Sequence, residues 1–217
     1  MVIVRCCIVL ISLISFSDYG FSQRKNIIYW KDTSTLSYDD FKTKRYNGNT
    51  WAEVDTYFHL KPYSLNNIYL VDAIAMSNSN KNYFSKAYLK LSFRSDSLDK
   101  EVIRHENYHF NITEIYCRYI ERDFYEFIIK KPRSIRKINA KISKLYWRYL
   151  SEWDTYETNF DICTQHGNDI QEHEKWIAEI NSELENLKQF ENVTIKLIKQ
   201  KKKYVFVGLI ENVAPHR

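Results

Sequence analysis

The sequence predicts an α+β fold, a small N-terminal antiparallel sheet packed on a bundle of three long helices. Three observations predict it. Residues 23–95 run in short apolar alternations separated by turn clusters. Residues from about 98 to 190 carry apolar side chains at helical spacing in three long stripes. Aromatic side chains are plentiful (17 Tyr, 12 Phe, 5 Trp) while Gly (4) and Pro (3) are scarce, the balance of a chain that packs a core. At 217 residues, with no internal repeat or low-complexity linker, one globular domain is expected.

The amino end stands apart. Met1 to Phe16 contains one positive charge, Arg5, and then an apolar run of signal-peptide length, too short for a comfortable membrane span. Residues 1–22 are therefore expected to be a signal peptide, with cleavage near Gly20-Phe21-Ser22 and Gln23 as the new terminus. The mature chain would be exported, periplasmic or secreted, with no membrane span. Cys6 and Cys7 sit too early for a lipoprotein anchor. The mature chain would keep the net charge of +5, because Arg5 and Asp18 are lost together.

In chain order, Ile27 to Trp30 is a short β run, and Asp32 to Phe41 a turn followed by a docking segment. Trp51 to Leu60 and Ile68 to Met76 alternate, Ser77 to Asn82 is a turn cluster, and Ala87 to Phe93 suits a further strand. Residues 98–130 form the first long helix, which Lys131-Pro132-Arg133 breaks because proline cannot donate to the helix ladder. A second helix spans about 134–163, and His166-Gly167-Asn168-Asp169 punctuates it. A third runs from about Ile170 to Phe190. Val193 to Ile198 and Tyr204 to Gly208 are two β segments joined by the basic run Lys199 to Lys203, giving a β-rich basic tail over 191–217. That run reads as a solvated strand end that blocks strand addition. No aromatic–basic signature accompanies it, so no nucleic-acid partner is expected.

The first long helix carries Arg104-His105-Glu106-Asn107-Tyr108-His109. His-Glu-x-x-His on a helix places the two histidines a turn apart on one face, where both can ligate one ion, with the glutamate about 100° round, within reach of a water but not of the metal. This is the zincin arrangement, in which zinc activates water and Glu106 acts as general base. A catalytic zinc takes three protein ligands and an open position. Glu114 lies about half a turn round the helix and points away. Asp161, His166 and His173 remain. His166 is preferred because Gly167 marks a bend where a side chain can turn inward. His173, between Glu172 and Glu174, reads as solvent-facing. Asp161 is a candidate to orient a ligand histidine, or else a surface acid. Tyr156 is a candidate hydrogen-bond donor to the developing oxyanion. Antiparallel packing of the first two helices about the Pro132 break puts the level of His109 near Trp153 to Tyr156, so His166 needs an offset or bend to reach it. Cys117 and Cys163, which flank these histidines, are expected close in space, as a bridge or as two free thiols.

Several of these pieces, taken together in order, resemble a bacterial family of predicted secreted zinc-dependent proteases, the domain-of-unknown-function 922 family. They are Ile28-Tyr29-Trp30, Leu36 to Phe41, His105 to Glu114, then Phe160-Asp161-Ile162-Cys163-Thr164-Gln165-His166-Gly167, Gln171 and Trp176. The resemblance covers roughly residues 27–187; Phe160 stands where the family has tyrosine. It implies a zinc-dependent protease domain over 23–190, with Zn2+ as cofactor, a peptide or protein substrate, and His105, His109 and His166 as ligands. The expected function is a secreted metallopeptidase; the alternative is a non-catalytic envelope protein that keeps the metal as a clamp.

Overall fold

The computed structural model describes residues 26–30, 36–41 and 50–211. The expected signal peptide, its cleavage site, Cys6 and Cys7 lie outside the described residues, as do Asp32 to Thr35 of the docking segment. Among the described residues no helix is long and apolar enough to cross a membrane.

One sheet and three long helices make up the body. The strands are β1 (Ile27–Tyr29), β2 (Ala52–Glu53), β3 (Thr56–Leu65), β4 (Ile68–Asn78), β5 (Tyr83–Phe84), β6 (Val193–Gln200) and β7 (Lys203–Glu211). The helices are α1 (Lys86–Leu89), α2 (Asp96–Ile129), α3 (Ile135–Thr164) and α4 (Ile170–Asn186). All pairings are antiparallel. β4 is the spine: β3 runs along its whole length on one side, while β1 and β6 lie end to end on the other, and β7 follows β6. The two carboxy-terminal strands thus join the sheet that the amino-terminal strands begin. β2 and β5 form a separate two-stranded ladder.

α2 is the axis of the molecule, 34 residues and so about 50 Å long at ~1.5 Å per residue. Ser95 caps it, accepting from the Leu98 N–H, and Asp96 and Asp99 sit in its first turn, where they face the positive end of the helix dipole. The Asp99 carboxylate also takes the Arg94 guanidinium and the Tyr88 hydroxyl. Helical stripes bury Phe110, Ile112, Ile115, Ile120, Phe124 and Ile128 against the sheet and the other two helices. The docking segment is clamped to α2 by Asn107, whose side chain accepts from the Leu36 N–H and donates to the Leu36 carbonyl.

One expectation is corrected, and one open alternative is decided. Residues 86–89 are a helical turn where a strand was expected. Ser85 caps it through the Tyr88 N–H, and Tyr88 is fully buried against Phe84 and Trp51. The side-chain cap and the aromatic anchor override a run of strand-like residues. Cys117 and Cys163 are both free, one in the core and one exposed on α3, so no bridge forms between them.

The centre of α2 holds a buried ionic group facing β4. Arg118, almost wholly buried, donates to Glu114 at 2.8 Å and to the Leu184 carbonyl, with the Trp30 ring 4.9 Å from its guanidinium carbon. Glu121 has no such cation of its own and accepts from the Ala73 N–H. Burial first, then the nearby Asp72 and Glu114, hold the Glu121 carboxyl well above the ordinary carboxylate range. A raised folded-state pKa means that the stability this group contributes is present below the ordinary glutamate value and is lost as pH rises through the folded one. Glu121→Gln keeps the acceptor without the charge. It is expected to raise the melting temperature by a few degrees at pH 7–8 and leave it unchanged near pH 4; thermal melts of the two proteins across pH check this, and parallel curves would refute it.

Candidate metal centre

α3 runs antiparallel to α2, and their facing side chains pair on successive turns. The Trp153 indole donates to Thr113 at 3.2 Å, Glu157 bonds His109, and Asp161 bonds His105 at 3.0 Å. The four-residue spacing of His105 and His109 on α2 is therefore answered by the four-residue spacing of Glu157 and Asp161 on α3.

Three ligand-type atoms converge. His105 Nε2 and His109 Nε2 are 3.3 Å apart, and Asp161 Oδ1 is 3.0 Å from the first and 3.1 Å from the second. Tetrahedral coordination with ligand bonds of ~2.0–2.1 Å places ligand atoms about 3.3–3.4 Å apart, so this triangle is close to the face of such a site. His105, His109 and Asp161 form a group that can hold a metal ion. His109 Nδ1 faces the Glu157 carboxylate, a contact that orients the ring with its Nε2 toward the triangle. His105 lacks such a partner: its Nδ1 is buried without a hydrogen bond.

The electrostatics fit a cation. Burial opposes charge on Asp161, yet hydrogen bonds from His105, His109 and His166 outweigh it and hold the carboxyl far below its ordinary range. Burial pulls His105 down to about 4, so it stands neutral, as a ligand must. Burial lowers His109 too, but the carboxylates of Glu157 and Asp161 more than offset that and raise it.

Of the residues singled out from sequence, His105 and His109 share the predicted face, and Asp161, expected to orient a ligand histidine or to lie on the surface, offers the third ligand-type atom of the group. His166 stands beside it: its Nδ1 is 3.2 Å from Asp161 Oδ1 and its side chain is about half exposed. The bend that carries it is real. α3 ends at Gln165 in the left-handed region, His166 follows with φ 55° and Gly167 with φ 81°. The His166 N–H closes the helix on the Asp161 carbonyl at 2.8 Å. Tyr156 is directed elsewhere, its hydroxyl on Glu179 and its ring on Trp176. Glu114 pairs with Arg118, as its helical offset requires.

His173 overturns its expectation. It is buried, not solvent-facing, with its ring 5.2 Å from that of His105 and its Nε2 unpartnered. Its spacing to Ile177 and Ile180, the other buried side chains of α4, is the stripe that would have shown this. Glu157 was not singled out at all. Phe160 stacks on His105 at 4.7 Å and shields the pair from solvent.

Glu106 lines a small, partly open cleft with Thr50, Trp51, Ala52, Val102, His105, His166 and Asn168. One of its oxygens accepts from the Val54 N–H at 2.9 Å. Burial pushes its carboxyl up to about 7, which suits proton exchange near neutrality.

No protein-family model, curated protein or solved structure matches the chain.

Gly167 is the tightest point of the site. An added Cβ there would meet the His105 Cβ and Cγ at 3.2 Å, on a backbone with φ 81°. Gly167→Ala is expected to tilt the His105 ring and weaken divalent-metal affinity by roughly tenfold or more, and Glu157→Gln to weaken it by a similar ~10–100-fold through loss of ring orientation. Titration of the apoprotein with zinc against a competing chelator measures both; unchanged affinity in the two variants would show that neither side chain shapes the site.

Proposed function

We propose that this protein is a zinc-dependent metallopeptidase, with His105, His109 and Asp161 as the protein ligands and Glu106 as the general base. The observation that carries the proposal is the triangle of His105 Nε2, His109 Nε2 and Asp161 Oδ1, with edges of 3.0–3.3 Å, beside a cleft lined by a glutamate one residue from the first histidine. A zinc ion held there supplies Lewis acidity to a scissile carbonyl and lowers the pKa of a water. The chain's own groups do the rest. The Val54 N–H holds one Glu106 oxygen, leaving the other to take a proton from water and deliver it to the leaving amine. Glu157 keeps His109 in its ligating tautomer. His166, at the cleft with one ring nitrogen on Asp161, would donate from the other to the oxygen on which negative charge develops. The substrate is a peptide or protein, the reaction for which a His-Glu-x-x-His helix and a general base are jointly suited. The resemblance to secreted zinc-dependent proteases and the signal-peptide pattern agree with an exported enzyme.

One observation favours a second reading. His166 Nδ1 lies only 3.2 Å from Asp161 Oδ1, so a modest turn of the ring would bring it onto the ion as a fourth ligand. Four protein ligands make a closed, structural site, and the protein would then be a metal-clamped, non-catalytic envelope component.

The purified protein is expected to hold about one zinc per chain. Glu106→Gln should retain the metal and lose hydrolysis of a peptide library, on the order of 10²-fold or more, since a base and not a ligand is removed. Asp161→Ala should lose the metal, and His166→Ala should keep it while slowing turnover. Elemental analysis and peptide cleavage, measured together, separate the readings: metal lost from the His166 variant, with no cleavage by the wild type, supports the closed site.

A further inference from the structure

The hydrogen bonds between Arg133 and Tyr204 bring two basic segments to one end of the molecule. The Arg133 N–H donates to the Tyr204 carbonyl at 3.0 Å, and the Tyr204 N–H to the Arg133 carbonyl at 2.7 Å. This sets the α2–α3 turn against the tip of the β6–β7 hairpin. Residues 127–151 contain eight Lys or Arg and no acid, and residues 192–210 contain five and no acid. These thirteen leave 19 basic residues against 27 acidic ones in the rest of the sequence, which is net negative, while the two segments that meet at the turn are net positive. Lys130, Lys131, Arg136, Lys201, Lys202 and Lys203 are exposed, and none of them forms an ion pair with another described residue. Two apolar side chains stand among them: Ile129 is 44% exposed and Ile135 39%.

We propose that this end is a docking surface for a bilayer rich in anionic lipid. Charge complementarity draws the lysines to acidic headgroups, each adding to the attraction. The isoleucines choose between polyanions. An exposed apolar pair at the tip of a basic turn gains from the headgroup–acyl boundary, as an interfacial anchor does, and gains nothing from a phosphate backbone. The exposed aromatic of these segments, Trp147, lies twelve residues along α3 from Ile135, about 18 Å from the turn at ~1.5 Å per residue, and so away from the lysines at the turn and hairpin tip. The surface lies roughly 30 Å along α2 from His109, at ~1.5 Å per residue, and so stands independently of the chemistry proposed for the metal centre.

Co-sedimentation of the full chain with vesicles of phosphatidylcholine, with and without phosphatidylglycerol, tests this. The apolar amino-terminal segment is common to every variant, and the neutral vesicles set its baseline. Partitioning onto the anionic vesicles is expected to exceed that baseline and to fall with salt. K201Q/K202Q/K203Q is expected to lower it by roughly a hundredfold, and K130Q/K131Q by about tenfold or more. K175Q/K188Q, on the α4 side, should leave it unchanged. I129S/I135S should abolish the part that persists at high salt. Each set is read separately, with melting temperature as the folding control, so a misfolded variant does not remove the test. Equal binding to both vesicle types, or lysine variants that bind like wild type, would overturn the proposal. Tighter, salt-sensitive binding to duplex DNA that is indifferent to I129S/I135S would replace the bilayer with nucleic acid.

Discussion

Three imidazoles converge on one carboxylate oxygen. Asp161 Oδ1 lies 3.0 Å from His105, 3.1 Å from His109 and 3.2 Å from His166, so the aspartate ties α2, α3 and the α3–α4 bend together. The contact is costly without compensation, since a mostly buried carboxylate has given up water. Compensation comes from whatever positive charge the imidazoles or an ion supply. The structure around it maintains that arrangement. Phe160 covers His105, Glu157 braces His109, and Gly167 lets the bend lie flat on the His105 ring. Helix register, rather than loop conformation, thereby sets the distances between the three corner atoms, and sites built on helices hold their geometry tightly.

Much of this was legible from periodicity. The His105–His109 face and the three helices follow from spacing alone, with α2, α3 and the start of α4 each beginning within about two residues of the expected position. The third corner was harder, and the reason is instructive. Antiparallel depth placed the partner of His109 near Trp153 to Tyr156, and the residue that bonds it is Glu157, the next in line. Asp161 is one turn further, opposite His105. Register thus pointed at a carboxylate pair, whereas residue type pointed at His166, which sits just outside the triangle. Two facing pairs with a common spacing of four, one of imidazoles and one of carboxylates, were the signal.

Other features were hidden because their causes are non-local. That β6 would pair with the first residues of β4 depends on contacts more than 120 positions apart, which no window of the sequence records. The α1 turn needed knowledge that Tyr88 finds a pocket between Trp51 and Phe84. His173 looked solvated between two glutamates, but a helix shows a different face at each step, and Glu174 turns outward to clasp Arg104 while His173 turns in.

α2 also relates the two ends of the molecule. Its first half carries the histidines beside the cleft, and its last residue is Ile129, at the basic pole. A protein seated on an anionic surface by that pole would point α2 outward. The cleft would then stand roughly 30 Å above the surface, at ~1.5 Å per residue. Seated this way, the opening lined by Trp51, His166 and Asn168 meets chains that project from the membrane or pass through the space above it, rather than segments embedded in the bilayer.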